Sequence, residues 1–195
     1  MSGPSFLGYA SAALSLMCAG LLAAHGAGEE GWRVVIRATA RTSLVLFSAA
    51  YVASSLRTFW RNDTTKWLLR SRRYVGLSYA VSHTLHLGAI VALSRVAPDF
   101  RFEPATVIGG GLAYVFLYLM ALTSNDRAVA ALGLDRWRRL HRIGMHYNWF
   151  IFFQSFAGRA WMEPFYLPFA LLLVGSLLLR FAAWWKRRQP ALAVS

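Results

Sequence analysis

The stretch Tyr74–Ser94, YVGLSYAVSHTLHLGAIVALS, carries no formal charge, with Arg72 and Arg73 immediately before it and Arg95 after it. As a helix rising ~1.5 Å per residue, it is long enough to cross a hydrocarbon core of ~30 Å. Phe6–Ala24 and Ala105–Thr123 are charge-free over similar lengths. Ile143–Gly158 and Pro164–Leu179 are shorter, but apolar flanks extend both, and Val34–Leu56 is apolar apart from Arg37 and Arg41. The whole chain of 195 residues is 57% hydrophobic and 15% charged, where a soluble domain usually carries about 25% charged residues. Helices satisfy their own backbone groups inside lipid, which irregular chain does not. The expected fold is an all-α integral membrane protein, a six-transmembrane-helix bundle with spans near 6–24, 34–56, 74–94, 105–123, 143–158 and 164–182.

The basic residues set the expected orientation. Arg57, Arg61, Lys66, Arg70, Arg72 and Arg73 crowd one connection against a single Asp63. Arg127, Arg136, Arg138, Arg139 and Arg142 crowd another, and Arg180, Lys186, Arg187 and Arg188 close the chain. On the other side, Arg95 and Arg101 are balanced by Asp99 and Glu103, Arg159 by Glu163, and Glu29 and Glu30 make the first loop acidic. Positive segments stay inside, so the chain reads as N-in and C-in, multi-pass in a bacterial inner membrane. The net charge of +13 then belongs to a membrane face and its anionic lipid, not to a nucleic-acid partner.

The first span has no basic leader and reads as a retained helix rather than a cleaved signal. A single Cys18 permits neither an internal disulfide nor a thiolate metal site. Gly109-Gly110-Gly111 lies in an apolar helix, where small residues allow close helix packing. There is no glycine-rich phosphate loop, hence no expected flavin or nucleotide site. A soluble electron donor would be another polypeptide.

Ionisable groups at membrane depth cost about 2.5–3.5 kcal/mol each at the bilayer centre and mark candidate sites. These are His83, His86, His141, His146, Arg37 and Arg41. His83 and His86 stand one turn apart on the third span, facing the same way. Imidazoles on facing helices suit axial ligation of haem, and they equally suit hydrogen bonds that fix packing. Spacing alone leaves both open.

Arg72-Arg73-Tyr74-Val75-Gly76-Leu77, with Leu85-His86 beyond it, resembles the third-helix signature of the ferric reductase-like transmembrane family. Leu122-Thr123-Ser124-Asn125-Asp126, then Leu132-Gly133 and Trp137-Arg138-Arg139-Leu140-His141-Arg142, resembles that family's connection between its fourth and fifth helices. The branch it is most similar to is the haem-binding membrane subunits of bacterial methionine sulfoxide reductase systems. The resemblance implies one such domain over residues 1–195, b-type haem between the third and fifth spans, and electron transfer across the membrane. It matches His86 to the third-helix ligand and His141 to the histidine that opens the fifth span, and makes these two the expected ligands of the haem iron. The family usually has a further fifth-helix histidine thirteen residues on, and that position here is Gln154.

Depth makes the departure matter. Counting from Arg73 and Arg142, His86 and Gln154 lie thirteen and twelve residues in, at nearly equal depth. His146 is only four residues in, roughly 9 Å shallower than His83, and His141 is shallower still. Three outcomes stay open: haem on His86 alone with Gln154 opposite, a shifted pair using His83 or His146, or the same fold without haem. Arg41 and Arg37 are expected either to snorkel and pair with Glu29, Glu30, Asp99 or Glu103, or to hold haem propionates or an anionic quinone. Trp149, Phe150, Phe152 and Phe153 are expected in lipid contact and core packing, or along a cofactor pocket. The expected function is a haem-b electron relay from a cytosolic flavoprotein or quinol donor to a periplasmic redox partner. The alternative is a haem-free membrane protein of the same fold with an assembly, sensory or interaction role.

Overall fold

The structure, a computed structural model, describes residues 2–192. It is all-helical: α1 (Gly3–His25), α2 (Glu29–Phe59), α3 (Asp63–Val96), α4 (Pro104–Leu122), α5 (Asp126–Leu132), α6 (Leu134–Ala160), a 3-10 turn (Pro164–Tyr166) and α7 (Leu167–Leu192). Four helical stretches, Gly3–His25, Asp63–Val96, Pro104–Leu122 and Pro164–Gln189, are long and apolar enough to cross a membrane. The protein is an all-α, multi-pass membrane protein. α2 and α6 are as long, at 31 and 27 residues, but more polar.

The helices overrun the charge-free spans. The basic segment from Arg57 to Arg73, read from sequence as a connection, is helical except for Trp60, Arg61 and Asn62. Asn62 makes this short turn possible: its side chain accepts from Thr65 N at 2.9 Å while Thr65 Oγ1 accepts from Asn62 N, a reciprocal cap. The connection after α4 also differs from expectation, because it contains a helix of its own, α5. Asn125 Oδ1 caps α5 by accepting from Ala128 N at 2.8 Å. Gly133, at φ 78°, ends α5 and starts α6; a side chain there would be strained, so glycine suits the corner.

Packing begins with α2 against α3, an antiparallel pair joined by small and hydroxyl residues. Ser43 Oγ donates to Ser82 Oγ at 2.9 Å, and Thr42 Oγ1 lies 3.0 Å from the same oxygen. Thr39, Ser43, Ser78 and Ser82 are fully buried, so the two backbones approach closely. α1 lies outside this pair and buries only Leu14. The chain then closes a ring, α3 to α4, α4 to α6, α6 to α7 and α7 back to α2. Its centre is aromatic: Phe47, Tyr51, Tyr79, Phe152, Phe156 and Tyr166 are buried together with Leu44, Leu117 and Leu173.

α4 and α6 meet at glycines, at Gly144 and at Gly109 of the triple-glycine stretch, whose carbonyl accepts from Tyr147 Oη at 3.1 Å. A Cβ on Gly144 would come within 2.8 Å of Met120 Sδ, whereas Gly110 and Gly111 face open space. α3 and α6 meet through side chains across the centre. Tyr79 Oη donates to Asn148 Oδ1 at 2.7 Å, and Asn148 Nδ2 donates to Gly144 O at 2.9 Å. A buried interhelical hydrogen bond of this kind contributes about 0.6 kcal/mol on average and up to about 1.7. Tyr79→Phe is therefore expected to lower stability by that amount in SDS titrations of helicity. Asn148→Ala should lower it more, because it also leaves the Tyr79 hydroxyl unpaired in the core.

Candidate functional site: two imidazoles in an aromatic core

α3 brings His83 and His86 into one place, one turn apart. Their rings stack at 5.1 Å between centroids, 15° from parallel. His83 also stacks on Tyr114 of α4 at 4.8 Å, and meets Tyr79 at 5.4 Å and Phe152 of α6 at 5.5 Å. Its Nδ1 is buried and has no hydrogen-bond partner.

The His86 ring is held by α2. Its Nδ1 lies 3.0 Å from Thr39 Oγ1 and 3.2 Å from Ile36 O. A carbonyl only accepts, and the Thr39 hydroxyl donates its one proton to Val35 O at 2.7 Å. The proton of the neutral imidazole is thus on Nδ1, and Nε2 keeps a free lone pair. An N–H anchored on a backbone carbonyl is the arrangement that orients a metal-binding histidine.

His141 and His146 do not join this pair. Thr123 Oγ1, which donates to Leu119 O at 2.6 Å, accepts from His141 Nε2 at 3.1 Å. Trp137 covers the same imidazole at 4.2 Å and donates from Nε1 to Thr123 O at 2.9 Å. Thr123 is nine residues from Tyr114 along α4, so His141 and His83 are separated by roughly 14 Å of helix. His146 is exposed, donates from Nδ1 to Arg142 O at 2.7 Å, and meets the Tyr51 ring at 5.7 Å.

Gln154 is not opposite His86. It is exposed, because the inner face of α6 is set by buried Gly144, Asn148, Phe152 and Phe156. Two residues beyond Phe152 at 100° each put Gln154 on the far side of the helix. Equal depth was legible in the sequence, but azimuth was not. The α6 residue that meets His83 is Phe152, which is buried, whereas Phe150 is exposed and Trp149 turns to α7, donating to Leu173 O at 3.1 Å.

The arginines of α2 divide. Arg33 pairs with Glu29 at 2.7 Å, and Arg37 is exposed. Arg41 turns inward beneath an aromatic group, its Cζ 4.6 Å from the Phe165 centroid and 5.6 Å from that of Tyr166. Its Nε is buried without a partner. The expected pairing of Arg41 or Arg37 with Glu29, Glu30, Asp99 or Glu103 does not form: among the described residues the ion pairs are Arg33–Glu29, Arg73–Asp126 and Arg138–Asp135.

Arg159, at the end of α6, was read as balanced by Glu163 in its loop, yet it turns to Tyr166. Its Nη1 donates to Tyr166 Oη at 3.4 Å. Thr39, Tyr114, Arg159 and Tyr166 are the members that sequence reasoning passed over, whereas Phe152 was among the aromatics expected in packing or along a cofactor pocket.

These features define an all-helical membrane protein with two stacked histidines inside its bundle and two arginines, without carboxylate partners, gathered on Tyr166. Curated proteins named "Protein-methionine-sulfoxide reductase heme-binding subunit MsrQ" are similar to the chain. That of Polaromonas naphthalenivorans is 30% identical over 173 residues, 80% of this chain and 73% of that protein. That of Ralstonia nicotianae is 28% identical over 85% of this chain and 79% of its own length. That of Azospira oryzae is 33% identical, but over 44% of this chain and 42% of its own length. The chain belongs to this family of membrane subunits. No protein-family model matches it, and no solved structure does.

The His141–Thr123 contact and the exposed Gln154 make opposite predictions. Thr123→Val removes the acceptor for His141 and should cost about 1 kcal/mol in detergent unfolding. Gln154→Leu should change stability by less than about 0.5 kcal/mol.

Proposed function

We propose that this chain is a b-type haem-binding subunit that relays electrons across the bacterial inner membrane. The observation that carries the reading is His86: its Nδ1 proton is anchored on Ile36 O and Thr39 Oγ1, leaving Nε2 free as a ligand. The relatives' printed name, heme-binding subunit of a protein-methionine-sulfoxide reductase, agrees with it. In this reading α1, α2, α3, α4, α6 and α7 span the membrane as one domain. Both termini lie in the cytoplasm, with the basic connections.

The surroundings fit a haem with one protein imidazole. His83 and His86 stack in parallel on one helix, so of the two only one imidazole would be available to hold a haem. The α6 residue opposite His83 is Phe152, which gives no second ligand. His83 beside His86 keeps a buried Nδ1 without a partner. Arg41 and Arg159, which lack carboxylate partners and converge on Tyr166, are suited to hold the propionates or an anionic quinone. When bound, the haem supplies one-electron redox chemistry. The chain's own part is to fix the His86 tautomer, keep water from the aromatic core and neutralise buried anions. The exposed basic start of α6, with Arg136, Arg138 and Arg139, is the docking face for a cytosolic flavoprotein, and a quinol donor is the alternative. The acceptor is a periplasmic protein-methionine-sulfoxide reductase. His141, capped by Thr123 and Trp137, then serves as a positioning residue for that docking face.

Phe152 in place of an opposing imidazole also favours a second reading, the same fold without haem in an assembly, sensory or interaction role. A reduced-minus-oxidised spectrum of protein expressed with ample haem separates the two. The relay reading expects b-type α and Soret bands and a shift on adding CO at the open position. A featureless spectrum with no extractable haem supports the second. His86→Ala should abolish the bands and Thr39→Ala should weaken haem affinity about tenfold, while Gln154→Leu should leave them unchanged. Undiminished haem in His86→Ala would overturn the ligand assignment.

A further inference from the structure

At the basic end, α2, α3 and α7 leave a groove of ≈ 400 Å³ lined by Ser54, Arg57, Thr58, Arg61, Leu69 and Arg187. Three of its six lining residues are arginines and none is acidic. Arg187 Nη1 donates to Thr58 Oγ1 at 3.1 Å and Arg57 Nη1 to Asn62 O at 3.2 Å. Among the described residues none of the three arginines has a carboxylate partner. Clustered guanidinium groups repel one another, and each offers several N–H donors in a fork that matches phosphate oxygens. The Ser54 hydroxyl can add a donor, Thr58 Oγ1 holds Arg187 in place while donating its own proton to Ser54 O at 3.1 Å, and Leu69 supplies an apolar wall.

The depth of the groove identifies the source of the phosphate. Trp60, next to it on the α2–α3 turn, and Trp185 on α7 are exposed, and exposed tryptophans of membrane helices sit at headgroup level. A second groove on the same ends of α2 and α7 is lined by Phe59, Phe181, Ala182, Trp185, Lys186 and Gln189, with Phe59 and Lys186 next in sequence to Thr58 and Arg187 of the first. Its walls are mainly apolar and aromatic, and Lys186 Nζ lies 5.1 Å from the Phe59 centroid. An anionic head beside an apolar strip describes a phospholipid, and basic pockets between helices on this face of a membrane bind such headgroups.

We propose that the Arg57–Arg61–Arg187 groove is a specific site for an anionic phospholipid, with the phosphate on the three guanidinium groups and an acyl chain along the Phe59–Phe181–Trp185 strip. The site stands apart from the histidines and does not depend on haem being bound.

The test is native mass spectrometry of the detergent-purified full chain, titrated in parallel with phosphatidylglycerol, phosphatidylethanolamine and inorganic phosphate. The expected result is retention of phosphatidylglycerol over phosphatidylethanolamine, with each of R57Q, R61Q and R187Q weakening it about fivefold. R138Q, which removes an exposed arginine of α6 outside the groove, should leave it unchanged. Equal retention of the two lipids would overturn the proposal, as would an unchanged preference in all three single variants. Displacement of phosphatidylglycerol by equimolar inorganic phosphate would also overturn it, because the site would then be one for soluble phosphate.

Discussion

The close contact between α2 and α3 is the constraint on which the remaining architecture depends. Hydroxyl and small side chains, Thr39 and Ser43 against Ser78 and Ser82, let two long helices approach nearly backbone to backbone. In lipid there is little hydrophobic gain from pressing one apolar helix on another, so close packing and interhelical hydrogen bonds must supply the specificity. The contact fixes the rotation of both helices. Once the Ser43–Ser82 register is set, His86 falls on Ile36 O and Thr39. The same rotation turns Arg41 toward the 3-10 turn before α7.

The polar groups then separate into two layers of the bundle. One holds His83, His86, Arg41, Arg159 and Tyr166 within and above the aromatic centre. The other, toward the basic end, holds His141 and His146 with Arg72 and Arg180, whose guanidinium groups bind the carbonyls of Ala50 and Tyr51 at 2.9 and 2.6 Å. Each arginine satisfies a carbonyl on a neighbouring helix, so cations act as interhelical ties. This explains how a chain with few acidic residues tolerates arginine deep in its packing. The aromatic layer between the two sets is continuous from Phe47 through Tyr79 and Phe152 to Phe156.

Much of this was legible in the sequence because membrane helices announce themselves by length and lack of charge. Tyr74–Ser94 falls inside α3 for that reason, and Ala105–Thr123 coincides with α4 up to its C-cap. The helix ends were less legible: α2 and α3 continue through strongly basic sequence, since charge does not break a helix that has left the bilayer. Of the site, the turn-apart placement of His83 and His86 follows from helical periodicity. Gln154 shows the limit. Counting residues gave its depth, but its face is decided by which side of α6 packs inward, and that depends on Gly144, Asn148 and Phe152 acting together. Arg159 and Tyr166 were beyond reach for a similar reason, because only tertiary packing brings the end of α6 and the turn before α7 over Arg41.

The three-residue turn at Trp60–Asn62 has a consequence for biogenesis. Arg37 and Arg41, two of the four arginines on α2, make that helix a poor candidate to partition into lipid alone, at about 2.5–3.5 kcal/mol per cation near the bilayer centre. In the six-span reading proposed above, so short a turn, locked by its reciprocal cap, would let α2 and α3 leave the translocon as a hairpin. The apolar helix can then carry its polar neighbour, and the serine and threonine seam is shielded from acyl chains from the moment of entry. The order in which helices emerge from the ribosome is thereby matched to the order in which their polarity can be hidden.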